Sequence, residues 1–552
     1  MQKPWLSQYA GVPATIDLER FNSIPDLFDA AFARFANRPM AINMGKSMSY
    51  AEFNRYSKDV AAWLQGLGLQ KGDRIAIMMP NCIQYLVLVP AILRAGYVVT
   101  NINPLYTPDE LTHQLNDSGS KAIFILENFA HTLQVSLPNT PALKHIIVSS
   151  LGDMLGFKGK IVNFVLRHVK KLIPAWQIKS AIPFKQVLAE GSQKTYQPVA
   201  LNQKDLAFLQ YTGGTTGVSK GAVLTHGNIV ANVLQAEAWC APALADIKGS
   251  PVFVSALPLY HIFGLTVNAL YSLHIGGTVL LITNPRDIPA FIKDLSKQPF
   301  HVFPAVNTLF VALLHTPEFK TLDFSHLRVA LGGGMAVQKA VADQFQEVTG
   351  VPICEAYGLS ETSPAALMNP IKLTKFTGYT GLPISSTEVA ILDDDGVEVP
   401  LGTHGEICIR GPQVMPGYWQ RPDETAKVMT ADGFFRSGDI GFMNEEGFVK
   451  IVDRKKDMVL VSGFNVYPNE VEDVAVMHPK VLECAVIGVP DDYSGEAVKM
   501  FVVKKDNSLT EKELQDFLRE HLTGYKRPKY IEFRSELPKS NVGKILRKDL
   551  RS

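Results

Sequence analysis

Residues 206–225 read LAFLQYTGGTTGVSKGAVLT. An apolar run of strand character, LAFLQ, meets a loop rich in glycine and hydroxyl groups, Tyr211 to Gly221, and a second strand-like run, AVLT, follows at once. Gly213, Gly214, Gly217 and Gly221 let the backbone come close to an anion. Thr212, Thr215, Thr216 and Ser219 offer hydroxyl groups, Val218 stands between Gly217 and Ser219, and Lys220 supplies a positive charge. A polyphosphate is the ligand such a loop suits. A Walker loop would show GxxxxGK[ST] spacing and open into a helix. Here the spacing differs and the next element is a strand, so the loop is expected to cap a hairpin.

Outward from this hairpin, β-rich runs alternate with helical patterns. RIAIMM precedes QYLVLVPAILRAG, and KAIFIL, HIIVSS, VFVSAL, GTVLLI, HVFPAV and RVALGG follow at intervals. Alternation of this kind predicts parallel sheets covered by helices. From about residue 385 to 452 short strands separated by DDDG, GTHG and EEG turns predict a small barrel-like β unit. Beyond Asp457, NEVEDVAVMH, CAVIGVP, VKMFVVKK and TEKELQDFLREHL predict a separate α+β unit. Five consecutive charged residues, Asp453 to Asp457, lie between the two and read equally as a solvated turn or as a hinge. The expected organisation is an α/β protein. Residues 1–452 form a large N-terminal domain of two helix-covered sheets plus the β unit, 453–457 the hinge, and 458–552 a small C-terminal domain.

A chain of 552 residues exceeds one ordinary core, which agrees with that division. With 54 basic against 53 acidic side chains the net charge is +1, so no global field points to nucleic acid. Cys82, Cys240, Cys354, Cys408 and Cys484 are odd in number and lack CxxC spacing, so neither a disulfide framework nor a zinc site is suggested, and a reducing cytosol fits. Met1 to Pro13 has no apolar core of secretory length, so a cytoplasmic location is expected. The most membrane-like stretch, Ser250 to Arg286, is broken by Pro258, Gly264, Gly276 and Gly277 and is read as a buried α/β core.

Three further segments carry chemistry. Glu355-Ala356-Tyr357-Gly358-Leu359-Ser360-Glu361-Thr362 would, alone, be read as a turn. Asp432-Gly-Phe-Phe-Arg-Ser-Gly-Asp439 continues to the charged run at 453–457 and to Ser462-Gly-Phe-Asn-Val-Tyr-Pro468. Pro538-Lys-Ser-Asn-Val-Gly-Lys544 lies near the C-terminus, and a lone lysine there would ordinarily be solvated. In this order and at these separations the four segments resemble the adenylate-forming superfamily, and within it the long-chain fatty-acid CoA ligases. The ligase signature is matched across GFFRSGDIGFMNEEGFVKIVDRKKDMVLVSGFNVYPNEVE, and the resemblance runs from about Ser49 to the end. Ser360 stands where the family often has threonine, with the hydroxyl kept.

The resemblance implies ATP-dependent ligation of a fatty acid to coenzyme A through an acyl-adenylate, with Mg2+ as cofactor. It gives Tyr211 to Gly221 to the phosphates, and Glu361, with Thr215, to the metal. The segment Glu355, Ala356, Tyr357 and Gly358 goes to ATP, with Tyr357 packed on the adenine ring. Ser360 goes to the α-phosphate, Asp439 with nearby Arg454 to the ribose, and Lys544 to the reacting α-phosphate and acyl oxygens. Lys456 matches the hinge about which the C-terminal domain rotates between half-reactions, and Gly463 is the candidate beside the pantetheine channel. Beside the resemblance, no acidic residue lies between Asp246 and Asp287, so this region offers no carboxylate to a substrate ammonium, which disfavours an amino-acid-adenylating enzyme. Leu257, Tyr260, His261, Ile262 and Phe263, then Val306 and the Gly332, Gly333, Gly334 strand end, are expected to form an apolar acyl tunnel. His261 reads equally as a core histidine bonded to backbone.

From Met154 to Ala189 there are seven basic residues and no acidic one. Within it Ile161, Val162, Val165, Leu166, Val169, Leu172 and Ile173 recur at helical spacing, with Asn163, Arg167, Lys170 and Lys171 on the other side and Trp176 beyond. Residues 158–176 therefore read either as a helix packed on the large domain or as one that rests on an anionic membrane surface.

Overall fold

The computed structural model describes residues 3–212, 219–491, 493–540 and 543–551. The alternating runs form two sheets. The first has the strand order 181–183, 145–149, 122–126, 74–78, 98–101, 206–212 and 220–225. Its pairs are parallel up to the last, where 206–212 and 220–225 run antiparallel as the two arms beside the glycine-rich loop. Both arms of the expected hairpin are thus present, while Gly213 to Val218 lie outside the described residues.

The second sheet has nine strands among the described residues, with a parallel centre of 353–358, 329–332, 302–305, 252–255, 278–281 and 39–43. Antiparallel strands 365–368 and 382–383 close one edge and 46–49 the other. Strands such as Ala122–Leu126 and Val252–Ser255 are buried along their whole length. Both faces of a parallel sheet are covered, so these segments read as continuous apolar runs without alternation.

The helix Ile83–Arg94 joins the two sheets, with all of its 12 residues buried. A helix apolar around its whole circumference has to lie inside the protein. Its core cluster takes Ile75 and Phe124 from the first sheet and Phe253 and Val329 from the second, so the sheets share one core. The stretch from Ser250 to Arg286 supplies two central strands and, between them, the π-helical turn Gly264–Tyr271. No helix among the described residues is long and apolar enough to cross a membrane.

The unit expected to be barrel-like is a four-stranded antiparallel meander, Glu388–Leu392, Gly405–Arg410, Phe435–Met443 and Val449–Arg454, in linear order. An antiparallel bridge, Gly381 to Val449, helps tie it to the preceding segment. The small C-terminal domain has its own five-stranded sheet and its own core, in which Val459, Val471, Val486, Val502 and Leu514 pack together. Polar contacts dock it on the meander: Asn469 N donates to Asp453 Oδ2 at 2.7 Å, and Arg547 Nη1 lies 3.3 Å from Asp453 Oδ1.

Candidate active site

A cavity of about 1370 Å³ opens where the two large sheets, the meander and the C-terminal domain meet. Tyr211, Thr212 and Lys220 reach it from the hairpin, Ala356 to Glu361 from the strand Ile353–Gly358 and the turn after it, Gly438 and Arg454 from the meander, and Lys456 and Lys544 from the last segments of the chain. Motifs separated by hundreds of residues in the sequence thus converge on one wall.

The charged groups of this wall are held by one another. Asp439 and Arg454 are cross-strand neighbours in the meander, and Arg454 Nε lies 3.0 Å from Asp439 Oδ1. The Tyr357 hydroxyl donates to Asp439 Oδ2 at 2.5 Å. Burial and the neighbouring carboxylate push that phenol well above its ordinary range, so it stays a donor. Glu361 is 8% exposed, and its Oε1 accepts the Tyr418 hydroxyl at 2.7 Å. Burial raises its carboxyl above the usual range, and the bond from Tyr418 offsets that in part. Lys220 pairs with Glu424, and its ammonium lies 5.1 Å from the centre of the Tyr418 ring.

Lys544 and Lys456 take no ion-pair partner among the described residues. Burial, with Arg454 nearby, brings the Lys544 ammonium down to about 8, and burial lowers Lys456 as well. Uncompensated cations in a cleft suit a polyanion. His261 is held down to about 4 by burial, with the charge of Lys544 adding to the effect. Its Nδ1 accepts the Phe263 amide at 3.3 Å, so the ring is neutral and its Nε2 carries the hydrogen. Both sequence readings therefore apply to one residue, which is bonded to backbone and also lines the cavity.

The other half of the cavity is apolar. Leu257, Tyr260, Phe263, Val306 and Gly333 line it as expected, and Trp239, Cys240, Tyr271 and Met368, none of them a candidate from sequence, extend it. Gly332 does not line it: a Cβ there would meet Val337 and Ile353 at 2.5 and 2.9 Å, so this glycine serves packing beside the sheet. Five further candidates also lie off the cavity lining, among them Asp439, which sits directly behind it, bonded to Tyr357 and Arg454. Glu355 accepts the Val337 amide at 3.2 Å, and its burial raises its carboxyl to about 7. Ser219 donates to the Thr212 carbonyl at 2.6 Å, and the Gly221 carbonyl accepts the Trp419 amide at 2.8 Å. Gly463 sits on the exposed turn between Val459–Val461 and Phe464–Val466.

Tyr418 is the main residue that the sequence reading missed. Its segment runs alongside the hairpin, with Val223 N bonded to Gly417 O at 3.0 Å and Met415 N to Glu361 O at 2.8 Å. It thereby couples the lysine of the loop to the carboxylate of the second motif. The signal that could have found it is the PGYW turn at 416–419, with glycine and proline beside two aromatics. No group of three or more histidine, cysteine or acidic side chains that could hold a metal occurs among the described residues. Of the carboxylates that line the cavity, Glu424 pairs with Lys220 and Glu406 with Arg436, while Glu361 is free of a basic partner among the described residues; a cation here would lean on Glu361 and take its other ligands from phosphate and water.

Residues 28–419 match the AMP-binding enzyme family and residues 470–544 the AMP-binding enzyme C-terminal domain. A long-chain-fatty-acid–CoA ligase of Yersinia pestis is 55% identical over 100% of this chain and 98% of its own length. A long-chain-fatty-acid–CoA ligase of Escherichia coli O6:H1 is 54% identical with the same coverage. Among solved structures, the anthranilate CoA ligase AuaEII in complex with anthranoyl-AMP superimposes with a TM-score of 0.85 at 24% identity, over 97% of this chain and 98% of that one.

Proposed function

Because the chain belongs to the AMP-binding enzyme family and matches long-chain fatty-acid CoA ligases along its whole length, we propose a residue-by-residue account of that ligation in this cavity. The enzyme joins a fatty acid to coenzyme A with conversion of ATP to AMP and diphosphate. A carboxylate is a poor electrophile, so the work divides. A carboxylate oxygen attacks the α-phosphorus and diphosphate leaves; the thiolate of coenzyme A then attacks the acyl carbon and AMP leaves.

The fatty chain lies in the apolar half, between Val306, Trp239 and Tyr271, and its carboxylate points at Lys544. Residues 211–221 hold the β- and γ-phosphates, with Lys220 exchanging Glu424 for phosphate oxygens. Tyr357 packs on the adenine, Ser360 lies at the α-phosphate, and Asp439 accepts the ribose hydroxyls while Arg454 fixes its orientation. Glu361, steadied by Tyr418, and Thr215 would hold Mg2+, which would neutralise charge on the phosphates. Lys544 stabilises the negative charge that develops on the oxygens of the reacting centre.

One cleft cannot present Lys544 and a thiol to the same carbon at once, so residues 458–552 turn about Lys456 in the 453–457 hinge after adenylation. That turn brings Gly463 to the pantetheine channel. The enzyme works in the cytoplasm, at the inner face of the membrane, where residues 158–176 meet anionic lipid. The observation that carries the account is the pair of partnerless, partly desolvated cations, Lys544 and Lys456, facing an apolar pocket across one cleft. The test is AMP release and thioester formation, followed by mass spectrometry, across fatty acids of about eight to eighteen carbons. Acyl-CoA formed with AMP supports the reading, and acyl-AMP that accumulates without thioester formation contradicts it.

A further inference from the structure

The helix Phe157–Phe164 and its π-helical continuation to Val169 carry two apolar faces where the sequence period suggested one. Val162 and Leu166 point inward and pack on the large core. Gly159 stands on the same side, so close to Gly152 that a Cβ would lie 1.8 Å from the Gly152 carbonyl oxygen. Asn163 Oδ1 accepts the Gly152 amide at 2.7 Å, and Asn128 donates to the Leu172 carbonyl at 3.1 Å. The segment is therefore fastened to the domain along its inner side. Its outer side carries Phe157 at 79% exposure, Ile161 at 54% and Phe164 at 60%, with Val169 at 65% and Leu172 at 55% just beyond. The first three stand at i, i+4 and i+7, which is one stripe of a helix.

The charges around this stripe are of one sign. Arg167 pairs with the buried Glu127, Lys185 with Asp153, and Lys158 donates to the Met44 carbonyl, so these three serve the fold. Lys160, Lys170, Lys171 and Lys179 are exposed and take no ion-pair partner among the described residues. A second copy of the chain seated on this face would bring lysines against lysines, a costly juxtaposition. A bilayer with anionic headgroups meets both features, because its acyl region takes the aromatic and aliphatic side chains while its phosphates face the ammonium groups.

We infer that the outer face of residues 157–172, with Phe157, Ile161 and Phe164 as an apolar wedge and Lys160, Lys170 and Lys171 around it, docks the enzyme on an anionic lipid surface. This inference rests on the fatty-acid ligase reading, since the substrate is an amphiphile that partitions into bilayers. The inward side of the helix stays fixed to the domain as the wedge enters the lipid.

The test is co-sedimentation of the full-length enzyme with vesicles of phosphatidylcholine alone and of phosphatidylcholine with phosphatidylglycerol, with octanoate turnover measured on the same preparations. Wild-type enzyme is expected to favour the anionic vesicles by about tenfold or more and to lose that preference at high salt. Phe157→Ser with Phe164→Ser should weaken binding by about tenfold or more at low and high salt, because apolar insertion is not screened. Lys160→Glu with Lys170→Glu should remove only the salt-sensitive part. All five cysteines are buried, so Ile161→Cys supplies a single accessible thiol for an environment-sensitive dye, whose emission should shift to the blue on anionic vesicles. Equal sedimentation of wild type and the double-serine variant overturns the inference. So does a dimer in sedimentation velocity without lipid that the same variant abolishes, which would assign the face to a second copy. Octanoate turnover that persists in every variant separates failure of this surface from failure of the ligase reading.

Discussion

At one end of the cavity charge meets charge: Asp439 is held by Tyr357 and Arg454, Glu361 by Tyr418, and Lys220 by Glu424. At the other end Trp239, Tyr271, Val306 and Met368 offer surface and shape, with few polar atoms to aim. The first end is exacting because a developing negative charge must find donors already in place, within a few tenths of an ångström. The second is forgiving, because dispersion and desolvation depend on area and volume. The same substitution should therefore act differently at the two ends. At the polar end it should change rate, and at the apolar end preference among substrates.

The largest effect is expected at Lys544. Lys544→Ala should slow adenylation by about 10²- to 10³-fold, the usual cost of losing one donor to the transition state. Conversion of supplied acyl-AMP by coenzyme A should survive. Equal damage to both half-reactions would remove the assignment.

A pH profile sharpens the same point. With the ammonium brought down to about 8, Lys544 is charged below that pH and neutral above it, so its contribution is present below about pH 8 and lost above. The kcat/KM for ATP in the adenylation half-reaction should fall about tenfold per unit on the alkaline side. Lys544→Arg keeps its charge there and should flatten that limb. An unchanged alkaline limb in the arginine variant would point to another group.

Next in size is Tyr418→Phe, which removes one hydrogen bond to a buried carboxylate, worth about 1.5–3 kcal/mol. Adenylation should fall by about tenfold or more, and Mn2+·ATP binding followed by electron paramagnetic resonance should weaken with it. Unaltered Mn2+ binding would mean that the tyrosine only packs.

The smallest effect on total activity belongs to the apolar end. Ala236→Phe fills cavity beside Trp239 and should lower turnover of an eighteen-carbon acid relative to an eight-carbon one by about tenfold, while the eight-carbon rate holds. A uniform loss across chain lengths would move the acyl chain elsewhere.

The same contrast governs what was legible in the sequence. Lys544, Asp439, Glu361 and Tyr357 were named from their motifs, and all of them lie on or directly behind one wall of the cavity. Chemistry that needs a particular atom leaves a local signature. Trp239, Tyr271 and Met368 come from three separate elements in which most residues are buried, so nothing local says which side chain turns toward substrate. Gly332 and Gly333 show the limit at single-residue scale, since one fits against Val337 and its neighbour faces the cavity. Parallel strands were legible because burial on both faces makes them apolar throughout. The closure of the 388–454 unit was not, because short strands and turns are common to meanders and barrels. At residues 157–172 the helical period was visible, but two apolar stripes on one helix sum to a pattern that resembles one broad stripe.

The central claim is that one cavity adenylates a fatty acid and then hands it to a thiol. Mixing enzyme with palmitate and ATP, without coenzyme A, and quenching for mass spectrometry should yield palmitoyl-AMP and diphosphate in amounts close to one per enzyme. Addition of coenzyme A should turn that pool into palmitoyl-CoA and AMP. Release of ADP, or thioester formation with no acyl-adenylate in the first stage, would contradict the account.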